Sequence, residues 1–184
     1  MITSVREFAD YFEGVRRRTL QFCDVVPAEA IDWAPKAGEY TCGDIVRHLA
    51  ATEAMFTGVV TDGVWRYGGH ERHRGATLDA ALGLLEAEHA AARAALARVP
   101  DGALATERPS ILSAGAGVSA RAGAPGARPI RAWRVLMAMC EHEVHHRSQL
   151  ASYLTLMGIE PPDIFGLGVE DVERLTAVAT GRTE

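Results

Sequence analysis

Apolar positions recur at helical spacing in several stretches of the chain, separated by segments in which the period is lost. In the first stretch Val5, Phe8, Ala9 and Phe12 share a face. Ser4, followed three residues later by Glu7, resembles a capping box, and together these predict a helix running to about Asp24. Pro27 and the segment from Trp33 to Tyr40 read as a connector. Thr41, with an acid at Asp44, starts a second helix with the stripe Ile45, Leu49, Thr52 and Phe56; His48, Ala51 and Met55 lie just beside it. Residues 63–75, rich in Gly, His and Arg, read as a loop. Thr77 caps a third helix with the stripe Leu78, Leu82, Leu85, His89, Ala92 and Leu96, ended by Pro100. The fourth helix runs from about Ile130, behind Pro129, to Met157. It stops at Gly158, and Pro161 and Pro162 prevent its continuation. Val169, Val172 and Leu175 predict a short terminal helix.

Residues 101–129 break this pattern. Gly, Ala, Pro and Ser dominate, no helical period survives, and so long a structureless stretch is uncommon in a compact domain. Short strands over 106–112 and 117–122 would make it a hairpin lying on the helices. The whole pattern predicts an all-α helical bundle, one domain over residues 1–184, with an irregular insert before the fourth helix.

Bulk properties narrow the function classes. A chain of 184 residues with net charge −5 and no basic face argues against a nucleic-acid partner. The run Arg16, Arg17, Arg18 follows Glu7, Asp10 and Glu13, an order that suits the dipole of the first helix. No apolar run approaches the ~18 residues of a membrane span, and the charged, amphipathic first residues do not read as a signal peptide. Cys23, Cys42 and Cys140 are far apart with no CxxC pair, so they are expected as reduced thiols in a cytoplasmic protein.

The candidate chemistry lies in histidines. On the fourth helix His142 and His146 are four apart and project from neighbouring turns of one face, the usual arrangement for two imidazoles on one metal. That face also carries Val135, Ala138, Met139, Gln149 and Tyr153, so it is expected to look inward. His145 sits among Glu141, Ser148 and Ser152 and is assigned to the surface, an interface or a supporting role. A third ligand must come from elsewhere. His48 is preferred, because a mid-helix histidine beside an apolar stripe has to be satisfied. His89 is the rival, and a lone histidine on a buried stripe is more often a hydrogen-bonded core residue. His70 and His73, in a charged loop, are expected to be solvated. Spacing alone leaves open that these are unrelated histidines. If they bind together, one divalent transition metal is expected, Zn or Ni first and Fe or Mn next, with a position left for water or substrate.

His142-Glu143-Val144-His145-His146 also spells HExxH, the zincin motif with Glu143 as general base. A zincin needs a downstream ligand and an edge strand for its peptide. Glu160 and Glu170 are poor candidates for the first, and no convincing strand offers the second, so a protease is disfavoured. Glu143 is instead expected to pair with Arg147, leaving it only a weak catalytic candidate.

Two groups of residues, taken together, resemble the DinB-like metalloprotein family. The first is Ile31-Asp32-Trp33-Ala34-Pro35, Gly38-Glu39-Tyr40-Thr41 and Asp44-Ile45-Val46-Arg47-His48-Leu49. The second is His142-Glu143-Val144-His145-His146-Arg147-Ser148-Gln149-Leu150, followed by Tyr153-Leu154, Gly158 and Pro161-Pro162. Tyr40 stands where Trp is usual and Ser148 where Gly is usual, neither at a ligand position. The resemblance implies an up-down-down-up four-helix bundle, often a homodimer, with its metal on His48, His142 and His146. It further implies a small-molecule substrate, with relatives that include bacillithiol S-transferases and mycothiol-dependent isomerases, where the metal would hold a low-molecular-weight thiol as thiolate. Hydrolysis by metal-activated water, and a non-catalytic metal-binding bundle with a stress-response role, are the other readings. Gln149 and Tyr153 are weak candidates for the substrate pocket, and Cys140, two residues from His142 and pointing largely away, is expected in the core rather than as a fourth ligand. If the insert covered the metal, one of Arg108, Arg121 and Arg131 could bind a substrate carboxylate, but solvated arginines are the preferred reading.

Overall fold

In the computed structural model, which describes residues 2–110 and 129–179, the predicted helices are present: α1 (Val5–Asp24), α2 (Cys42–Asp62), α3 (Leu78–Leu96), α4 (Ala132–Leu156) and α5 (Val169–Ala179). Their starts have the expected local chemistry. Ser4 Oγ accepts from the Glu7 amide, and Thr77 Oγ1 accepts from the Ala80 amide. Thr41 and Asp44 complete a reciprocal capping box at 3.0 Å in each direction. Gly63 closes α2 at φ +76, a left-handed conformation that glycine adopts without strain. Helix α3 ends at Leu96, before Pro100: the Arg98 and Val99 amides donate to the Ala95 and Leu96 carbonyls at three-residue spacing, and residues 101–105 form a separate 3-10 turn. Helix α4 begins two residues later than expected, since Ile130–Arg131 is strand β2. It pairs antiparallel with β1 (Glu107–Arg108). The strand expected over 106–112 is therefore real but short, and its partner adjoins α4. The second expected strand, 117–122, and Arg121 lie outside the described residues.

Helix directions follow from which ends meet. Phe22 and Cys23, late in α1, share an apolar cluster with Ile45 and Leu49, early in α2. That cluster also holds Leu78, Ala81 and Leu85, early in α3, and Leu150 and Leu154, late in α4. A second cluster joins Val5, Phe8 and Phe12 to Val59, Val60, Leu96, Val135 and Leu136. Thus α1 and α4 run one way and α2 and α3 the other, an up-down-down-up four-helix bundle.

Two consequences of this topology bear on the site. Helices α2 and α3 are parallel, so the chain must return along the ~30 Å length of α2 before α3 can begin. The 63–77 connection makes that return. It starts with Trp65 against Phe56 (centroids 5.9 Å apart) and ends where Arg47, 1 % exposed, donates from Nη1 to the Gly75 carbonyl at 2.7 Å.

The middle layer, between the two apolar clusters, is polar. Arg16 of α1 pairs with Glu143 of α4 and Glu53 of α2, and Glu53 in turn accepts from His89 of α3. Burial alone opposes these charges, and their mutual pairing across all four helices offsets that cost. No helix among the described residues is long and apolar enough to cross a membrane.

Candidate metal centre

His48 lies in the second turn of α2, and His142 and His146 on successive turns of α4, so the antiparallel packing of α2 on α4 sets the three imidazoles face to face. The Nε2 atoms of His48 and His142 are 3.0 Å apart, and those of His142 and His146 3.1 Å. Each residue offers one nitrogen within 4.8 Å of the others, the arrangement of a metal-binding group. Three nitrogens sharing a tetrahedral zinc at ~2.0–2.1 Å would lie roughly 3.3 Å apart, close to what is seen.

The outer nitrogens are also occupied. His146 Nδ1 lies 2.6 Å from Gln149 Oε1, and His142 Nδ1 lies 3.4 Å from Thr52 Oγ1. The Thr52 hydroxyl already donates to the His48 carbonyl at 2.7 Å, so towards His142 it can only accept. An Nδ1–H on His142 and on His146 leaves both Nε2 lone pairs aimed at one point, a cluster of acceptors that a cation satisfies and a proton satisfies poorly. Electrostatics agree. Burial, with His146 alongside, lowers His48 to about 4. Burial, with His146 and His48, lowers His142 to about 3. Burial also lowers His146, partly countered by Gln149. All three imidazoles are thus held neutral at neutral pH, the form that ligates metal.

His145 is exposed, with no part in the group. His89 is a core histidine: Nδ1 is 2.7 Å from Glu53 and Nε2 3.1 Å from Glu13. Glu143 does not pair with Arg147. Its Oε1 and Oε2 accept from Arg16 at 2.8 and 3.0 Å, and the carboxylate is buried. Both oxygens of the would-be general base are committed to an ion pair behind the histidines. Gln149 touches the site as the partner of His146. Tyr153 acts at one remove, its hydroxyl donating to the Tyr40 carbonyl at 3.0 Å while its ring meets Trp33 edge-on at 5.4 Å. Cys23, Cys42 and Cys140 are buried and unbonded, and burial pushes their thiols up to about 12, 11 and 12. Arg108 donates to the Val60 carbonyl at 2.7 Å, capping the far end of α2, and Arg131 donates to the Ala105 carbonyl, so neither faces the histidines.

One expectation fails in an informative way. His70 is not solvated. It is half-buried, its ring centroid 4.6 Å from that of Tyr40 and 5.7 Å from that of His48, and its Nδ1 is 2.6 Å from the Tyr67 hydroxyl. That hydroxyl is also 2.7 Å from His48 Nδ1. The sequence places Thr52 only on the apolar stripe of α2 and does not single out Tyr67. Thr52 lies four residues after His48 on one helix face, a readable signal. Tyr67 could be placed only by knowing that the connection climbs back along α2.

With this geometry in hand, comparison with known proteins is consistent throughout. The DinB family profile matches residues 1–179, and the chain belongs to that family. Among solved structures it is similar to a DinB-like protein of Bacillus cereus, with TM-score 0.66 and 18% identity over 90% of this chain and 100% of that one. A DinB-like protein of Bacillus subtilis is similar with TM-score 0.61 and 18% identity, covering 86% and 96%. At that identity the likeness establishes the fold. No curated protein matches.

Proposed function

We propose that this protein is a metal-dependent enzyme that holds one divalent cation on His48, His142 and His146 and acts on a small molecule, transferring a low-molecular-weight thiol or hydrolysing its substrate. The observation that supports this reading is the convergence of three neutral imidazole nitrogens whose outer nitrogens are already paired. Zinc or nickel suits such a donor set best. Bound there, the cation would lower the pKa of a thiol or water in its remaining position.

The donor set favours an anionic guest. It contains no carboxylate, so the full double charge of the cation is left to attract thiolate or hydroxide. The chain's own thiols are unsuited to the work, being buried and protonated at neutral pH, so the nucleophile comes from outside. The residues' tasks are then to hold and to orient. Gln149 and Thr52 fix the rings of His146 and His142, and Tyr40, 5.2 Å from His48 and 6.3 Å from His146, walls the site. Glu143 is given no proton to move.

The test is metal analysis of the purified protein and of His48→Ala and His146→Ala, followed by assay of the loaded protein. Bacillithiol, mycothiol and glutathione would be offered against an electrophile panel, with esters and amides alongside. Unchanged metal content in both variants would overturn the site. Turnover with a thiol, or hydrolysis without one, that disappears with the metal is the expected result. A loaded protein inert to every substrate would favour the non-catalytic bundle.

A further inference from the structure

We propose that Tyr67 and His70, on the 63–77 connection, are positioning residues for the ligand His48, forming a hydrogen-bond chain whose direction depends on whether His48 Nε2 is bound to a cation. This rests on the metal reading above and concerns residues outside the three-histidine set.

The argument is one of proton counting. The Tyr67 hydroxyl is 2.7 Å from His48 Nδ1 and 2.6 Å from His70 Nδ1, and it carries a single proton. A neutral histidine that uses Nε2 as a ligand must carry its proton on Nδ1. His48 then donates to Tyr67, and among the described residues the Tyr67 proton has His70 Nδ1 as its remaining acceptor. His70 then accepts at Nδ1, and its N–H is thereby assigned to Nε2. Without a cation, His48 Nε2 faces His142 Nε2 at 3.0 Å, where a proton on His48 Nε2 relieves the opposed lone pairs. His48 Nδ1 then accepts from Tyr67, and the Tyr67 oxygen accepts from His70 Nδ1–H. Loading reverses both bonds and switches the His70 tautomer.

The chain is anchored rather than incidental. Arg47, the residue before His48, donates from Nε to the His70 carbonyl at 2.8 Å and from Nη1 to the Gly75 carbonyl at 2.7 Å, while Asp44 takes Nη2 at 2.7 Å. The α2 helix therefore grips the connection by its backbone through Arg47 and by its side chains through His48. Tyr40 packs its ring against both His70 and His48. Tyr67 itself is 44 % exposed, so apolar burial is a weak reason for its placement and the two hydrogen bonds are a strong one. Partners that orient a metal-bound histidine typically contribute 10–100-fold to metal affinity.

The experiment uses the full chain and zinc alone. Zinc affinity is measured by chelator competition for wild type, Tyr67→Phe and His142→Ala, and imidazole 15N shifts report the tautomer of His70 with and without zinc. Tyr67→Phe is expected to weaken zinc binding by about 10- to 100-fold. In wild type, zinc is expected to turn His70 Nδ1 from protonated to bare, and in Tyr67→Phe the His70 tautomer is expected to ignore zinc. Zinc affinity indistinguishable from wild type in Tyr67→Phe, or a His70 tautomer unmoved by zinc in wild type, would overturn the chain while leaving the metal site standing. Undiminished zinc binding in His142→Ala would overturn the site and the chain together.

Discussion

Glu143 and Arg16 meet in a two-pronged ion pair at 2.8 and 3.0 Å, binding α4 to α1 in the buried middle of the bundle. The glutamate of an apparent HExxH motif is thus spent on holding two helices together. Glu143→Gln leaves Arg16 with Glu53 as its remaining carboxylate partner, so it is expected to lower unfolding free energy by ~1–3 kcal/mol and to leave metal binding in place. Denaturant titration and metal analysis of the same variant check this. Metal loss without loss of stability would contradict it.

His89 lies between Glu53 and Glu13. Burial opposes its charge, but the hydrogen bond and charge of Glu53, with the hydrogen bond of Glu13, outweigh that and raise its pKa. A raised folded pKa contributes stability that is complete below the unfolded value of ~6.5 and is lost as pH rises through the folded one. His89→Gln should therefore destabilise more at pH 6 than at pH 9, by ~1–3 kcal/mol at the acid end. Urea midpoints for both proteins across that range provide the measurement.

The histidines of the three-imidazole group have the opposite sign. His48 and His142 are lowered to about 4 and about 3, chiefly by burial, so the unfolded chain takes up protons below ~6.5 that the folded chain resists. Metal-free protein should lose stability as pH falls from there towards 4. Replacing His142 by Gln should flatten that acid limb. A limb of unchanged steepness in the variant would count against buried neutral imidazoles.

Gly43 lets α2 lie close on the 3-10 turn at Ala28–Asp32. A Cβ there would come within 2.5 Å of Ile31 Cγ1 and 2.9 Å of both the Ile31 carbonyl oxygen and Arg47 Nη1. Gly43→Ala is expected to cost ~1–3 kcal/mol. It should also loosen the connection that Arg47 holds, visible as faster amide exchange near residues 70–75.

Much of this was legible in the sequence because it is local. Ser4, Thr41 and Thr77 begin helices by capping chemistry, Gly63 and Gly158 end them, and a four-residue spacing on one face selects His146 over His145 as the partner of His142. What escaped reading depends on distant pairing. Arg147 stands four residues from Glu143 and was the local choice. Arg16, 127 positions away, takes the carboxylate because two helices must neutralise each other's buried charge. His70 looked like a solvated loop residue, since nothing within the segment itself reveals that α2 and α3 are parallel. The insert resisted for a related reason: β1 finds its partner in β2, at the threshold of α4.

The return of the 63–77 chain along α2 also separates two tasks by their tolerance of change. The three converging imidazoles stand on helices fixed by the two apolar clusters, where a substitution is felt throughout the bundle. Tyr67 and His70 stand on a strap whose outer side chains bear little of the fold's weight. The outward side chains of that strap are therefore free to vary in a way the helix faces beneath it are not, whereas Tyr67 and His70, which reach inward to His48, are held to their chemistry.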